Sequence, residues 1–250
     1  MTDGTPTPSF EEIEPIEPTN PTLIEGLPGL GLVAAIAVDA ITTQLELEHH
    51  GSITSEEFPP VVTFQDGLVQ DLVRVYASTD PNVLTLQSDL ALPPSAFEPL
   101  ASCVIEDIAP NIERAIFVAG APAETEEEIG SVFGIATDQS RRSELEAAGI
   151  EIHEDPGLVG GITGALVNRC HQASIPSILL IVHAHPFLPD PAAAKAVIET
   201  AIEPLVAFDI DTTSLDEQAA EIQAQKQQIA EQFEQYQRQE EPAQAPGMYQ

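Results

Sequence analysis

Residues 177–185 read SILLIVHAH, a nearly unbroken apolar run that closes on two histidines. A strand wetted on one side alternates apolar and polar residues, whereas one buried on both sides does not. This run therefore predicts an inner strand of a sheet covered on both faces. Its surroundings agree. GLVGGITG (157–164) opens a helix that reaches about residue 172, and a further helix is expected over 191–208. Upstream, RAIFVAGAP (114–122) is a second buried strand, preceded by a helix over 94–108 with proline near its start. A helix over 141–148 stops at Gly149, and 150–153 is a strand. Alternating helices and apolar strands give an α/β body.

Towards the N-terminus the pattern changes. Residues 23–24 form a short strand, and GLPGLG (26–31) opens a helix to about residue 45. Extended segments then follow over 45–53, 61–64, 68–77 and 83–87, with Asp66-Gly67 as a hairpin signal. Residues 1–21, rich in proline and glutamate, read as a flexible arm, and 22–212 as the α/β body. From Leu215, the positions Ala219, Ile222, Lys226, Ile229, Phe233 and Tyr236 step by four and three, a heptad seam with one lysine in it. A helix over 213–239 is expected. Pairing between subunits as a coiled coil and folding back onto the sheet both fit it. Residues 240–250 read as a tether and tail.

The charge restricts the partners. Asp and Glu number 41 against 8 Lys and Arg, a net charge of -33. The acids are spread along an apolar-rich chain, which suits a folded protein adapted to molar salt, and they exclude nucleic acid as a partner. The longest apolar stretch, 30–38, ends at Asp39 and is too short to span a bilayer. No basic, apolar leader opens the chain, and two cysteines form no disulfide framework, so a cytoplasmic protein without membrane association is expected.

Gly29, Gly31 and Ala34 match the dinucleotide pattern G-x-G-x-x-A, with Glu46 or Glu48 near the ribose-binding position, although Pro28 sits inside the turn. Gly160, Gly161 and Gly164 make a second glycine loop before a helix, whose N-terminus can hold an anion. Neither loop carries a basic residue; Arg141 and Arg142 are the nearest that precede the second. Both sets of glycines serve equally as tight turns and close packing. His183 and His185 alternate at a strand end and are expected on one face, two ligands without a third. No nucleophile elbow, zinc or P-loop motif occurs. No catalytic residue, metal or cofactor is assigned.

GLPGLGLVAAIAVDAI (26–41), FVAGAP (117–122), VFGIATD (132–138), GLVGGITGALVNRC (157–170) and ILLIVHAHPFLPDPAAA (178–194) together resemble the proteasome assembly chaperone 2 family. The resemblance covers residues 12–235. It implies a three-layer α/β/α sandwich, similar in shape to nucleoside phosphorylases without their active-site residues. It further implies a non-enzymatic chaperone or adaptor, homo-oligomeric, that docks on the α-ring of the proteasome core. The family's docking element is a C-terminal hydrophobic residue, a Tyr and any last residue. Met248, Tyr249 and Gln250 match it, with Met in place of the commoner Leu or Val. An aromatic anchor with one hydroxyl, an adaptable thioether and a terminal carboxylate suit such a pocket. The rival reading is an α/β enzyme or ligand-binding protein that holds an anion or nucleotide at Gly29, Gly31, Gly160, Gly161 and Gly164.

Overall fold

The computed structural model describes residues 8–240. In chain order the first strands and helix are β1 (Ser9–Glu12), β2 (Thr22–Gly26), α1 (Val33–Gln44), β3 (Glu48–Thr54), β4 (Thr63–Gln65), β5 (Leu68–Gln70), β6 (Val73–Thr79) and β7 (Asn82–Ser88). There follow α2 (Phe97–Cys103), β8 (Arg114–Pro122), β9 (Val132–Ala136), α3 (Gln139–Ala147), β10 (Glu151–Ile152), α4 (Gly161–Ala173) and β11 (Ser177–Ala184). The last helices are α5 (Pro191–Val197), α6 (Glu203–Leu205) and α7 (Thr213–Glu240). Short π-helical turns extend α2 and join α5 to α6.

Nine strands form one mixed sheet in the order β1-β3-β6-β7-β2-β8-β11-β9-β10. Its centre is parallel: β2 pairs with β7 and β8, and β8 with β11. Antiparallel strands flank it on both sides. Along β8 the pleat sends Ile116 and Val118 to one face and Ala115 and Phe117 to the other. The first face packs on Ala37 and Ile41 of α1 and Val197 of α5, the second on Leu100 of α2 and Leu166 of α4. Helices thus cover both faces, as the apolar strands require. Among the described residues, no helix is long and apolar enough to cross a membrane.

The structure departs from the sequence reading in three places. Residues 9–12 are not part of a free arm: β1 pairs antiparallel with β3, Ser9 opposite Thr54 and Glu12 opposite Gly51. Its Phe10 ring lies over Gly51, where a β-carbon would come within 2.5 Å of it. Backbone pairing at a sheet edge needs no apolar run, so composition alone hides it. Residues 132–136 form β9, an antiparallel strand beside β11 that was read as neither helix nor strand. The expected strand 68–77 breaks at Asp71-Leu72 into β5 and β6. β4 and β5 stand apart as a hairpin whose Asp66 and Gly67 both have positive φ, 52° and 80°, as a tight two-residue turn demands.

Helix α7 begins on the body. Leu215 is buried in the core, and Lys195 Nζ lies 2.6 Å from Asp216 Oδ2. Ala219 and Ile222 border a small groove against Leu188 and Pro189. The seam side chains at Lys226, Ile229, Phe233 and Tyr236 lie outside the described residues.

Candidate functional site

The loops after β2 and before α4 meet in one cleft at the carboxyl ends of the parallel strands. This is the end where open α/β sheets receive ligands. The cleft holds about 440 Å³ and is walled by Pro28, Gly29, Phe97, Gly120, Leu158 and Gly160. The two glycine loops, 130 residues apart, are brought together because β2 and β8 are neighbours and α4 packs on β8 and β11.

The five glycines divide by role. Gly31 has φ 66°, and a β-carbon there would come 2.9 Å from that of Ala184. At Gly164 it would meet the Val159 carbonyl oxygen at 2.3 Å. Both permit close backbone packing. Gly161, with φ 70°, turns the chain into α4, while Gly29 and Gly160 have open space before them and face the cleft. Gly120, which the sequence reading passed over, lets the Leu30 carbonyl approach β8, at 2.2 Å from where a β-carbon would stand.

Beneath these loops lies Glu25, fully buried in β2 and also passed over by the sequence reading. The Leu27 N–H donates to its Oε1 at 3.0 Å, and the Thr163 hydroxyl approaches at 3.4 Å. Burial pushes its carboxyl up to about 8, against smaller lowering effects of hydrogen bonds from Leu27, Val118 and Thr163. The signal was present: an acid inside the otherwise apolar TLIEG, next to a glycine loop.

The cleft offers a phosphate no side-chain cation. Among the described residues no Lys or Arg lines the cleft, and a carboxyl group lies under it. The dinucleotide pattern fails on topology as well. Glu46 and Glu48 stand where α1 ends and β3 begins. That is the opposite end of the sheet from the cleft, whereas the ribose acid of a nucleotide site belongs at the carboxyl end of a strand. The walls instead suit an apolar group.

The histidines do not converge. β11 ends at Ala184, so strand alternation does not carry through to His185. His183 lies against Phe133, ring centres 5.6 Å apart and planes tilted at 57°, in a depression shared with His153 and Arg142. His185 lies by the groove under α7, where its Nδ1 accepts from the Phe187 N–H at 3.2 Å. No group of three potential metal ligands occurs among the described residues. Met248, Tyr249 and Gln250 lie outside the described residues.

Comparison with known proteins gives a consistent picture. The model of the PAC2 family matches residues 23–230. Uncharacterized protein MJ0106 of Methanocaldococcus jannaschii is 30% identical over 212 residues, 84% of this chain and 85% of that one. The structure of Pyrococcus furiosus PbaA, described as an archaeal homolog of proteasome-assembly chaperone, is 26% identical. It superposes with a TM-score of 0.81 over 92% of this chain and 95% of its own. P. furiosus PbaB, described as an archaeal proteasome activator, shares the fold at 22% identity and a TM-score of 0.78, over 90% of this chain and 99% of its own.

Proposed function

The chain belongs to the PAC2 family, and from that premise we propose that it is a non-enzymatic proteasome assembly chaperone or adaptor. It docks on the α-ring of the proteasome core through Met248, Tyr249 and Gln250, and works as a homo-oligomer in a salt-rich cytoplasm. The observation that carries this reading is the likeness to PbaA along nearly the whole of both chains. The cleft lends support from the other side. Its described walls bring no Lys or Arg to an anion or nucleotide, which favours this reading over the rival one.

The docking chemistry rests on the tail's residues. Tyr249 supplies an apolar body with a polar tip, and the terminal carboxylate supplies a fixed charge for a lysine in the receptor. Several tails on one oligomer raise the effective concentration of weak contacts. At 1 M salt the Debye length is about 3 Å, so two acidic bodies meet through such short-range contacts and not through long-range steering.

The test is capture of proteasome core particles in 2 M KCl by the intact chain, by a chain lacking the last three residues, and by Tyr249→Ala. Both variants are expected to lose capture. Capture equal to that of the intact chain would overturn the docking assignment.

A further inference from the structure

The exposed large apolar side chains are not scattered over the molecule. Apart from Ile13, those among the described residues gather at the carboxyl end of the parallel strands. Leu32 follows β2, Leu90 follows β7 and Phe187 follows β11, while Leu158 stands at the lip of the cleft. The hairpin β4-β5 joins the end of β3 to the start of β6, and Val73 of β6 faces Ser88, the last residue of β7. It therefore rises from the same end. Its root is fixed there, with Thr63 beside Asp89, one residue before Leu90.

This hairpin has no evident reason to be stable alone. Phe64 faces Val69 in register, so the two share one surface, and they are 76% and 72% exposed. A two-stranded hairpin without a third strand or a helix to pack on is marginal in water. An apolar patch of this kind ordinarily marks an interface. Beside it the cleft is the converse, a hollow with apolar walls and Leu158 standing 92% exposed at its edge.

Charge points to the occupant. Segments 27–34, 58–65, 90–97, 117–123 and 156–168 hold no Asp, Glu, Lys or Arg, in a chain of net charge -33. Two copies of this chain repel wherever their acids meet, and these segments, bordered by Asp66 at the hairpin turn and by Glu124 and Glu126 beyond β8, are where they can approach. It carries both a raised apolar element and an apolar hollow, so one copy can fill what the next leaves open.

We propose that copies of this chain associate through the carboxyl end of the sheet, with the β4-β5 hairpin of one copy seated in the glycine-loop cleft of its neighbour. The assignment rests on the homo-oligomeric reading above and names its interface. Phe64 is the anchor, an aromatic side chain entering a desolvated pocket. The glycines that open the cleft, Gly29 and Gly160, then serve protein contact and not a small ligand.

The full chain is measured by light scattering in 2 M KCl beside Phe64→Asp/Val69→Asp and Leu158→Asp, all sites already exposed to water. The unaltered chain is expected at a multiple of 26.7 kDa. Both variants should fall to the single-chain mass with unchanged circular dichroism. Phe64→Cys mixed with Leu158→Cys should cross-link between chains under oxidation; the native Cys103 and Cys170 are buried. An unaltered chain at single-chain mass, a variant that keeps the oligomer, or a mixture that yields no cross-link would each overturn the interface. Core-particle capture, measured separately, reports on the tail. Tyr249→Ala should abolish capture with the mass unchanged, so docking and self-association fail by different readouts.

Discussion

The hydroxyl of Thr163 lies 3.4 Å from the carboxyl of Glu25, a residue 138 positions earlier in the chain. The contact ties the end of β2 to the first turn of α4, and so fixes the spacing of the two loops that wall the cleft. A carboxyl near a helix N-terminus also gains from the helix dipole. Desolvation outweighs these gains, which is why the group holds its proton far above the ordinary range.

That balance makes stability fall with rising pH. The buried carboxyl titrates near 8, against 4.5 for an ordinary glutamate. Between those values the folded chain keeps a proton that the unfolded chain has released, so unfolding becomes easier as pH rises. Above about 8 the loss levels off. Glu25→Gln removes the titration at nearly constant volume. Denaturant midpoints from pH 5 to 9 at fixed salt should slope downward for the native chain and run flatter for the variant, which is the more stable of the two at pH 9. Parallel slopes would count against a desolvated carboxyl.

The glycines can be separated by the same measurement. In Gly164→Ala the new β-carbon would stand 2.3 Å from the Val159 carbonyl oxygen, and a backbone atom cannot swing aside. The expected cost is about 1–3 kcal/mol. Gly29 has φ −135° and ψ −160°, ordinary extended backbone, with nothing near its absent β-carbon. Gly29→Ala should change stability by about 0.5 kcal/mol or less. Equal costs at the two sites would refute the division into packing and cleft-facing glycines.

A third expectation concerns the acid side. Arg74 is buried and bidentate to Asp89, Nη1 to Oδ2 at 2.6 Å and Nη2 to Oδ1 at 2.8 Å, while its Nε donates to the Tyr76 hydroxyl. The hydrogen-bonded guanidinium holds the Asp89 carboxyl below its ordinary value. Its contribution is complete above the unfolded value and is lost as pH falls through the folded one. Asp89 is partly open to water, so Asp89→Asn should cost about 1–2 kcal/mol at pH 7. The difference from the native chain should shrink below pH 4, in melts at constant ionic strength. A difference that does not decline as the medium is made more acidic would locate the effect elsewhere.

The parallel centre of the sheet could be read from the sequence because burial on both faces leaves a local mark. RAIFVAGAP and SILLIVHAH contain almost nothing polar, and β8 and β11 lie side by side. The edges could not be read so. β1 is held by backbone bonds and by Phe10, which packs on Gly51 and the His50 ring, and β9 is only partly buried. The two glycine loops were both visible, yet that they form one cleft depends on strand order, which no local pattern encodes. Glu25 was missed because its isolation is a property of its surroundings and not of its neighbours in sequence. The resemblance to the family spans nearly the same residues that the PAC2 model matches, since it rested on loops placed along most of the chain.

Salt should stabilise this chain well into the molar range. With 41 acidic and 8 basic residues, folding concentrates like charge, and the cost of that repulsion falls as ions screen it. The Debye length drops from about 10 Å at 0.1 M to about 3 Å at 1 M, so most of the gain should come between those concentrations. Close opposite-charge contacts such as Arg74 with Asp89 are partly shielded from solvent ions and lose less than the surface repulsion does. Thermal melts in KCl from 0.1 to 2 M should therefore shift upward, and a rise of about 10 °C would correspond to about 3–5 kcal/mol for a chain of this size. The rise should also survive in the single-chain Phe64→Asp/Val69→Asp variant, since the repulsion lies within each copy. A midpoint that stays level or falls with salt would mean that the acids are neutralised by the fold itself.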